Sequence, residues 1–190
     1  SSDAHYDHIS AFIKSVRGGD PDAALYWMVK MLEGGEDPRF IVRRLVILAS
    51  EDIGNADPFG LVLATAALQA VEFVGMPEAK LILSQVVTYL ASAEKSNAAT
   101  EALAAASEEL RTGPVRDVPA HLKDPHRDGA ALGHGKGYRY PHSFPGGFVV
   151  QEYLPAHVVF YKPKDIGAER EIRRRLEQWR ALAAEAKNRR

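Results

Sequence analysis

From His5 to Arg17 the apolar residues Ile9, Phe12, Ile13 and Val16 recur in steps of three and four. That spacing places them on one face of a helix. Between Pro21 and Glu33 a second stripe runs through Ala24, Leu25, Met28, Val29 and Leu32, with Tyr26 and Trp27 beside it. A third contains Phe40, Ile41, Leu45, Leu48 and Ala49, and leaves Arg39, Arg43 and Arg44 to face water or a partner. The segment after Pro58 is apolar almost all round, the pattern of a helix central in its domain. From Pro77-Glu78 another helix is predicted through Leu81, Ile82, Leu83, Val86, Val87, Tyr89 and Leu90, and an Ala-rich one over 97–111, starting at Ser96 or Asn97.

The breaks between these runs are as regular as the runs. Asp20-Pro21, Asp37-Pro38 and Asp57-Pro58 each precede an apolar stretch. An aspartate at an N-cap accepts from the free amides of the first turn, and a proline at the first helical position has no amide to leave unpaired. Gly18-Gly19 and Gly34-Gly35 end the first two helices, since glycine takes left-handed C-cap conformations cheaply. Connections this short predict antiparallel neighbours, hence an all-α bundle over residues 1–113.

Beyond Pro114 the periodicity stops. Residues 114–166 are rich in Pro, Gly, His and aromatics and read as an irregular extension packed on the bundle, with possible short strands at 148–150 and 158–161. The helical period returns over 167–190 through Ile172, Leu176, Trp179, Leu182 and Ala183. This C-terminal helix is basic: residues 169–190 hold eight Lys or Arg against four Glu.

Composition narrows the classes. With 46% apolar and 26% charged residues the 190-residue chain is ordinary for a globular protein, and its net charge of −1 does not suggest a nucleic-acid-coating surface. There are no cysteines, so disulfides and thiolate metal sites are excluded. No apolar run reaches the ~18 residues that a membrane span needs.

Candidate chemistry is sparse. Gly133-His134-Gly135-Lys136-Gly137 resembles a phosphate loop only superficially: a P-loop lysine is followed by Ser or Thr, and a helix must follow to hold the phosphate. The interleaved Lys136, Tyr138, Arg139, Tyr140, His142 and Phe144 are the residue types that stack and neutralise single-stranded nucleic acid, and equally the types that anchor a long loop. The seven histidines follow no metal-binding spacing. Ser50-Glu51-Asp52 is expected to cap or salt-bridge near a helix end. No catalytic constellation is present, and no catalytic, cofactor-binding or metal-ligating residue is assigned.

Four stretches taken in order are specific: Asp20-Pro21-Asp22-Ala23-Ala24-Leu25-Tyr26-Trp27; Ala49-Ser50-Glu51-Asp52-Ile53-Gly54 with Ala56-Asp57-Pro58; Lys95-Ser96-Asn97-Ala98; and Gly135-Lys136-Gly137-Tyr138-Arg139-Tyr140 with Gln151-Glu152-Tyr153-Leu154-Pro155. Together they resemble the C-terminal region of the RarA/MgsA family of AAA+ ATPases, whose eukaryotic member is the Werner-helicase-interacting ATPase. The resemblance runs from about His5 to about Leu176. It implies a bundle like a clamp-loader collar that drives homotetramerisation, cut from a longer parent whose missing ATPase module would bind ATP and Mg. It further implies a cytoplasmic setting at the nucleoid or replisome, roles in replication-fork maintenance, recombination and repair, and association with DNA and single-stranded-DNA-binding protein. The fragment itself is expected to lack ATPase activity. The alternative is a nucleic-acid-binding module that uses loop 136–144 and the C-terminal arginines.

Overall fold

The computed structural model describes residues 2–190. Among these are seven α-helices: α1 (Ser2–Arg17), α2 (Pro21–Glu33), α3 (Pro38–Leu48), α4 (Phe59–Val74), α5 (Ala79–Ser92), α6 (Ala98–Thr112) and α7 (Glu169–Asn188). The chain divides into two compact units. One comprises residues up to Leu103 together with Tyr161–Arg173; the other comprises Ala104–Phe160 and Arg174–Arg190. The all-α class expected from the periodicity holds, and among the described residues there is no strand. Segments 148–150 and 158–161, expected as possible strands, run without ladder partners. Their side chains make the contacts instead: Phe148 stacks on Trp179 of α7 at 5.0 Å and 4°.

In the first unit, α1 packs on α2, α3 on α4, and α5 against α1, α2, α3 and α4. The core joins Phe12 and Val16 of α1 to Met28 of α2, Ile41 and Leu45 of α3, and Leu83, Val87 and Leu90 of α5. The stripes lie close to where the pattern puts them, with small rotations. In α2 the buried set is Ala24, Met28, Met31 and Leu32, and Val29 is exposed. In α3 Val42 is buried and Phe40 only partly so.

The central helix is α5, a correction to the expectation for α4. Continuous hydropathy says that a helix meets apolar surroundings but not that its own chain supplies them. Helix α4 buries only Gly60, Ala64, Ala67 and Val71. Gly60 sits close there: a Cβ would lie 3.3 Å from Leu90 Cδ2 and 3.4 Å from Ile53 Cγ2, so those side chains would have to shift slightly to admit one.

The three Asp-Pro pairs are not equivalent. Asp20 accepts from the amide of Ala23 at 2.9 Å, and Asp37 from that of Arg39 at 2.9 Å, so both cap as expected. Asp57 does not cap: α4 begins without a side-chain cap, and Asp57 Oδ2 accepts from the Tyr89 hydroxyl at 2.7 Å. A tertiary donor has displaced the local one. Likewise α5 begins at Ala79, and Pro77-Glu78 lie in the turn before it.

The Tyr89–Asp57 bond yields a pH prediction. The hydrogen bond to Asp57, then burial, then the Asp57 charge hold the Tyr89 hydroxyl above its ordinary value of 10.0. A group whose pKa is raised on folding contributes stability that is complete below its unfolded value and lost as pH rises through the folded one. Urea unfolding of the chain should therefore show a loss of stability above about pH 10 that is smaller in Tyr89→Phe. Parallel pH profiles for the two proteins would remove this role.

Candidate functional site

Large apolar side chains that a folded core would normally take in are exposed on α4. Phe59, Val62, Ala66, Gln69 and Phe73 are all exposed and follow steps of three and four, so they share the face opposite the buried Gly60, Ala64, Ala67 and Val71. Phe73 is 92% exposed and Val62 60%. Leu61, Leu68 and Val74 widen the apolar surface on the same helix, and Leu81 at the start of α5 is 74% exposed. At the edge, Arg39 of α3 pairs with Glu72 at 2.9 Å. An apolar stripe at alternating three- and four-residue steps is the form in which helices pack into one another, and an uncovered patch of this kind marks an interaction surface.

A second feature explains why the signature residues occur together. After Leu48 the helix widens into a π-helical turn, Ala49–Ile53, followed by a short 3-10 turn, Gly54–Ala56. Ile53 is fully buried. Gly54 has φ 51, and a Cβ on it would stand 2.8 Å from the Ser96 carbonyl oxygen. Asp52 holds Arg17 at 2.9 Å, which bears out the expected salt-bridging role, and the Glu51 carbonyl accepts from Thr100 Oγ1 at 3.1 Å. Lys95 donates to the carbonyls of Ala91 and Ala93 at the end of α5. Burial holds its ammonium below the usual lysine value, and the Asp52 charge opposes that shift.

The segment 161–169 closes on this turn. Gly167 (φ 55) leaves room for the Ala56 carbonyl, 2.3 Å from where a Cβ would be, and the Ala168 amide donates to that carbonyl at 2.8 Å. Glu169, the first residue of α7, is completely buried. Its Oε1 accepts from Ser96 Oγ at 2.6 Å and from the Lys164 amide at 2.7 Å; its Oε2 accepts from the Tyr161 hydroxyl at 2.8 Å. The Tyr161 oxygen in turn accepts from Asn55 Nδ2 at 3.1 Å, and Lys164 Nζ donates to Asn97 Oδ1. A buried carboxylate is costly unless donors surround it, and the positive end of a helix N-terminus adds to these three. Sequence reasoning counted Glu169 only in the charge balance of residues 169–190. Its available signal was position alone, two residues after a glycine at the start of a helix.

The loop of Lys136, Tyr138, Arg139, Tyr140 and His142 lies in the second unit. Lys136 is exposed, and Tyr138 and Tyr140 are 46% and 57% exposed. Tyr140 and His142 rest against each other with ring centres 5.2 Å apart. Arg139 is engaged internally: its guanidinium lies 4.8 Å from the centre of the Phe144 ring and donates to the Val150 carbonyl at 2.9 Å. Gln151 brackets its backbone, accepting from the Arg139 amide at 3.2 Å and donating to the Arg139 carbonyl at 2.8 Å. Lys136 and the two tyrosines are thus left outward without such bonds, while Arg139, also exposed, is tied to Phe144, Val150 and Gln151 of its own unit.

Residues 133–137 do not form a phosphate cradle. The amides of Gly133, His134, Gly135 and Lys136 donate to the carbonyls of Ala130, Gly129, Ala120 and Gly133. A 3-10 turn at Pro141–Ser143, and no helix, is the next regular element. ATP and Mg are not fitted by these residues. Among the described residues no group of three or more acidic or His side chains is placed to hold a metal ion.

The first unit is thus a helical bundle tied by a buried polar clasp and bearing an uncovered apolar face. The family model described as MgsA AAA+ ATPase C terminal matches residues 18–180, and the chain belongs to this family. It is 55% identical over 184 residues to an uncharacterised AAA-domain-containing protein of Mycobacterium tuberculosis, covering 95% of this chain and 41% of that protein. It is 46% identical over 185 residues to replication-associated recombination protein A of Coxiella burnetii (95% and 42%). To the Bacillus subtilis protein of the same name it is 46% identical over 169 residues (87% and 40%). The chain thus spans about two fifths of the length of these relatives.

The clasp predicts a stability defect. Replacing Glu169 by Ala strands the Ser96 hydroxyl and the Lys164 amide, so Glu169→Ala should lower unfolding free energy by about 2–4 kcal/mol in urea. Ser96→Ala combined with it should cost less than the sum of the two single changes, because the partners share one interaction. Additive losses would show that the clasp does not act as a unit.

Proposed function

We propose that this chain is the C-terminal oligomerisation region of a RarA-like AAA+ ATPase and that it assembles as a homotetramer. The observation that carries this reading is the exposed face of α4, with Val62 near one end of it and Phe73 at the other. Joining two such faces would remove several large side chains from water, at about 1.5–3 kcal/mol for each one fully covered. The name of the relatives, replication-associated recombination protein A, supports a role for the parent in replication-associated recombination, and the proposal extends this to replication-fork maintenance and repair. In this reading ATP and Mg act in an ATPase module outside these residues. The parent then works in the cytoplasm at the nucleoid or replisome, with DNA and single-stranded-DNA-binding protein as partners. The domains act as an oligomerising bundle over 1–113, an extension over 114–166 and a basic helix over 167–190.

A second role, contact with single-stranded nucleic acid, is favoured by the outward-facing Lys136, Tyr138 and Tyr140. The two roles are compatible, because the loop and the α4 face belong to different units.

Two measurements test these readings. Light scattering at about 20 µM should give a tetramer mass for the chain and a lower mass for Val62→Glu with Phe73→Glu, with unchanged helicity; a wild-type monomer overturns the assembly reading. In fluorescence anisotropy with an oligo(dT) probe, Lys136→Ala, Tyr138→Ala and Tyr140→Ala together should weaken binding about tenfold or more at low salt, and added salt should weaken the wild type steeply. Absence of wild-type binding at low salt removes the second role.

A further inference from the structure

On α1, Tyr6, Ile9 and Ile13 follow helical spacing and, with Lys14 beside them and Phe40, Arg43 and Arg44 of α3, line a groove of about 410 Å³. Its floor is Ile9 and Ile13 of α1 and Phe40 of α3. Cations border it: Lys14 on one side, Arg43 and Arg44 on the other. Arg17, at the far end, is already held by Asp52. The other three have no carboxylate within salt-bridge reach among the described residues, and Arg44 Nε is buried with no hydrogen-bond partner. An apolar floor between unpaired cations is unusual on a surface that only water meets, because the buried guanidinium nitrogen forgoes hydration without gaining an acceptor.

We propose that this groove docks an acidic amphipathic helix from a partner protein. Its length sets the size of the occupant. From Tyr6 to Arg17, at 1.5 Å per residue, the lining extends about 17 Å, or three helical turns. Apolar anchors spaced i, i+4 and i+7 would meet Ile9, Ile13 and Phe40, the usual arrangement of a helix in a groove. Carboxylates on the anchors' flanks would pair with Lys14, Arg43 and Arg44. Such pairs set orientation and on-rate, while the buried anchors supply most of the affinity. Two of the three floor residues are isoleucines, whereas a nucleic-acid strand calls for successive aromatic stacking faces along a cationic track. This surface is distinct from the exposed stripe of α4, so the proposal goes beyond assembly.

The test uses the 190-residue chain and a fluorescein-labelled synthetic helix of about eleven residues, with Leu at i, i+4 and i+7 and Glu elsewhere. The expected result is binding at about 10–100 µM, at least about tenfold weaker when every Glu is replaced by Gln. Lys14→Glu with Arg43→Glu, or the milder Lys14→Gln with Arg43→Gln, should weaken it by a similar factor, with helicity checked by circular dichroism. Methyl NMR shifts induced by the peptide should centre on Ile9 and Ile13. Val62→Glu with Phe73→Glu should leave binding unchanged, so loss of assembly and loss of docking are read separately. No binding at about 1 mM overturns the proposal, as does equal affinity for the Gln peptide, wild-type binding by the charge variants, or displacement of the peptide by oligo(dT).

Discussion

The Glu169 carboxylate is the interaction on which the arrangement of the first unit most depends. A completely buried acidic group must gather donors or not be buried at all, and this one gathers them from Ser96, Tyr161 and Lys164. The donors come from two stretches of chain, the α5–α6 junction and the returning segment 161–168. Ser96 stands between α5 and α6, where its Oγ also accepts from the Ala98 amide at 3.2 Å and so starts α6. Tyr161 reaches the turn after α3 through Asn55. One side chain therefore fixes where α6 starts, where the returning segment 161–168 lies, and where α7 begins. The glycines at 54 and 167 are needed because backbones approach within the space of a Cβ at both positions.

Helix α4 inverts the usual arrangement, with small residues inside and large ones outside. The inversion follows from the close approach of Gly60, Ala64 and Ala67 to α5 and the Ile53 turn. Tight packing of backbones uses small side chains, and Phe59, Val62 and Phe73 then have nowhere to go but outward. A chain that folded only for its own stability would gain by exchanging these positions for polar ones. Large apolar groups left on such a face are what supports the assembly proposed for it.

The family signatures gain physical meaning from this geometry. Lys95-Ser96-Asn97-Ala98 is a run in which Lys95 stops one helix, Ser96 starts the next, and Ser96 and Asn97 both hold the returning segment. The Gln151 and Tyr138-Arg139-Tyr140 motifs are two halves of one bracket, in which Gln151 replaces a strand partner for Arg139. Both contain polar side chains assigned to backbone groups that no helix or sheet satisfies.

The sequence by itself determined the helices, because a 3.6-residue period and an N-cap aspartate act within a few residues and need no tertiary partner. It also determined the all-α class and, through four ordered motifs, the family. It did not determine that α5 and not α4 is enclosed, that Asp57 turns to Tyr89 in place of a cap, or that Gln151 brackets Arg139. Nor did it reveal that Glu169, one acidic residue among four in a basic helix, is the buried one. Those outcomes depend on which groups lie close together after long stretches of chain have returned, as Asn55 and Tyr161 do across 106 residues. Local periodicity carries no information about such encounters; only the tertiary structure decided them.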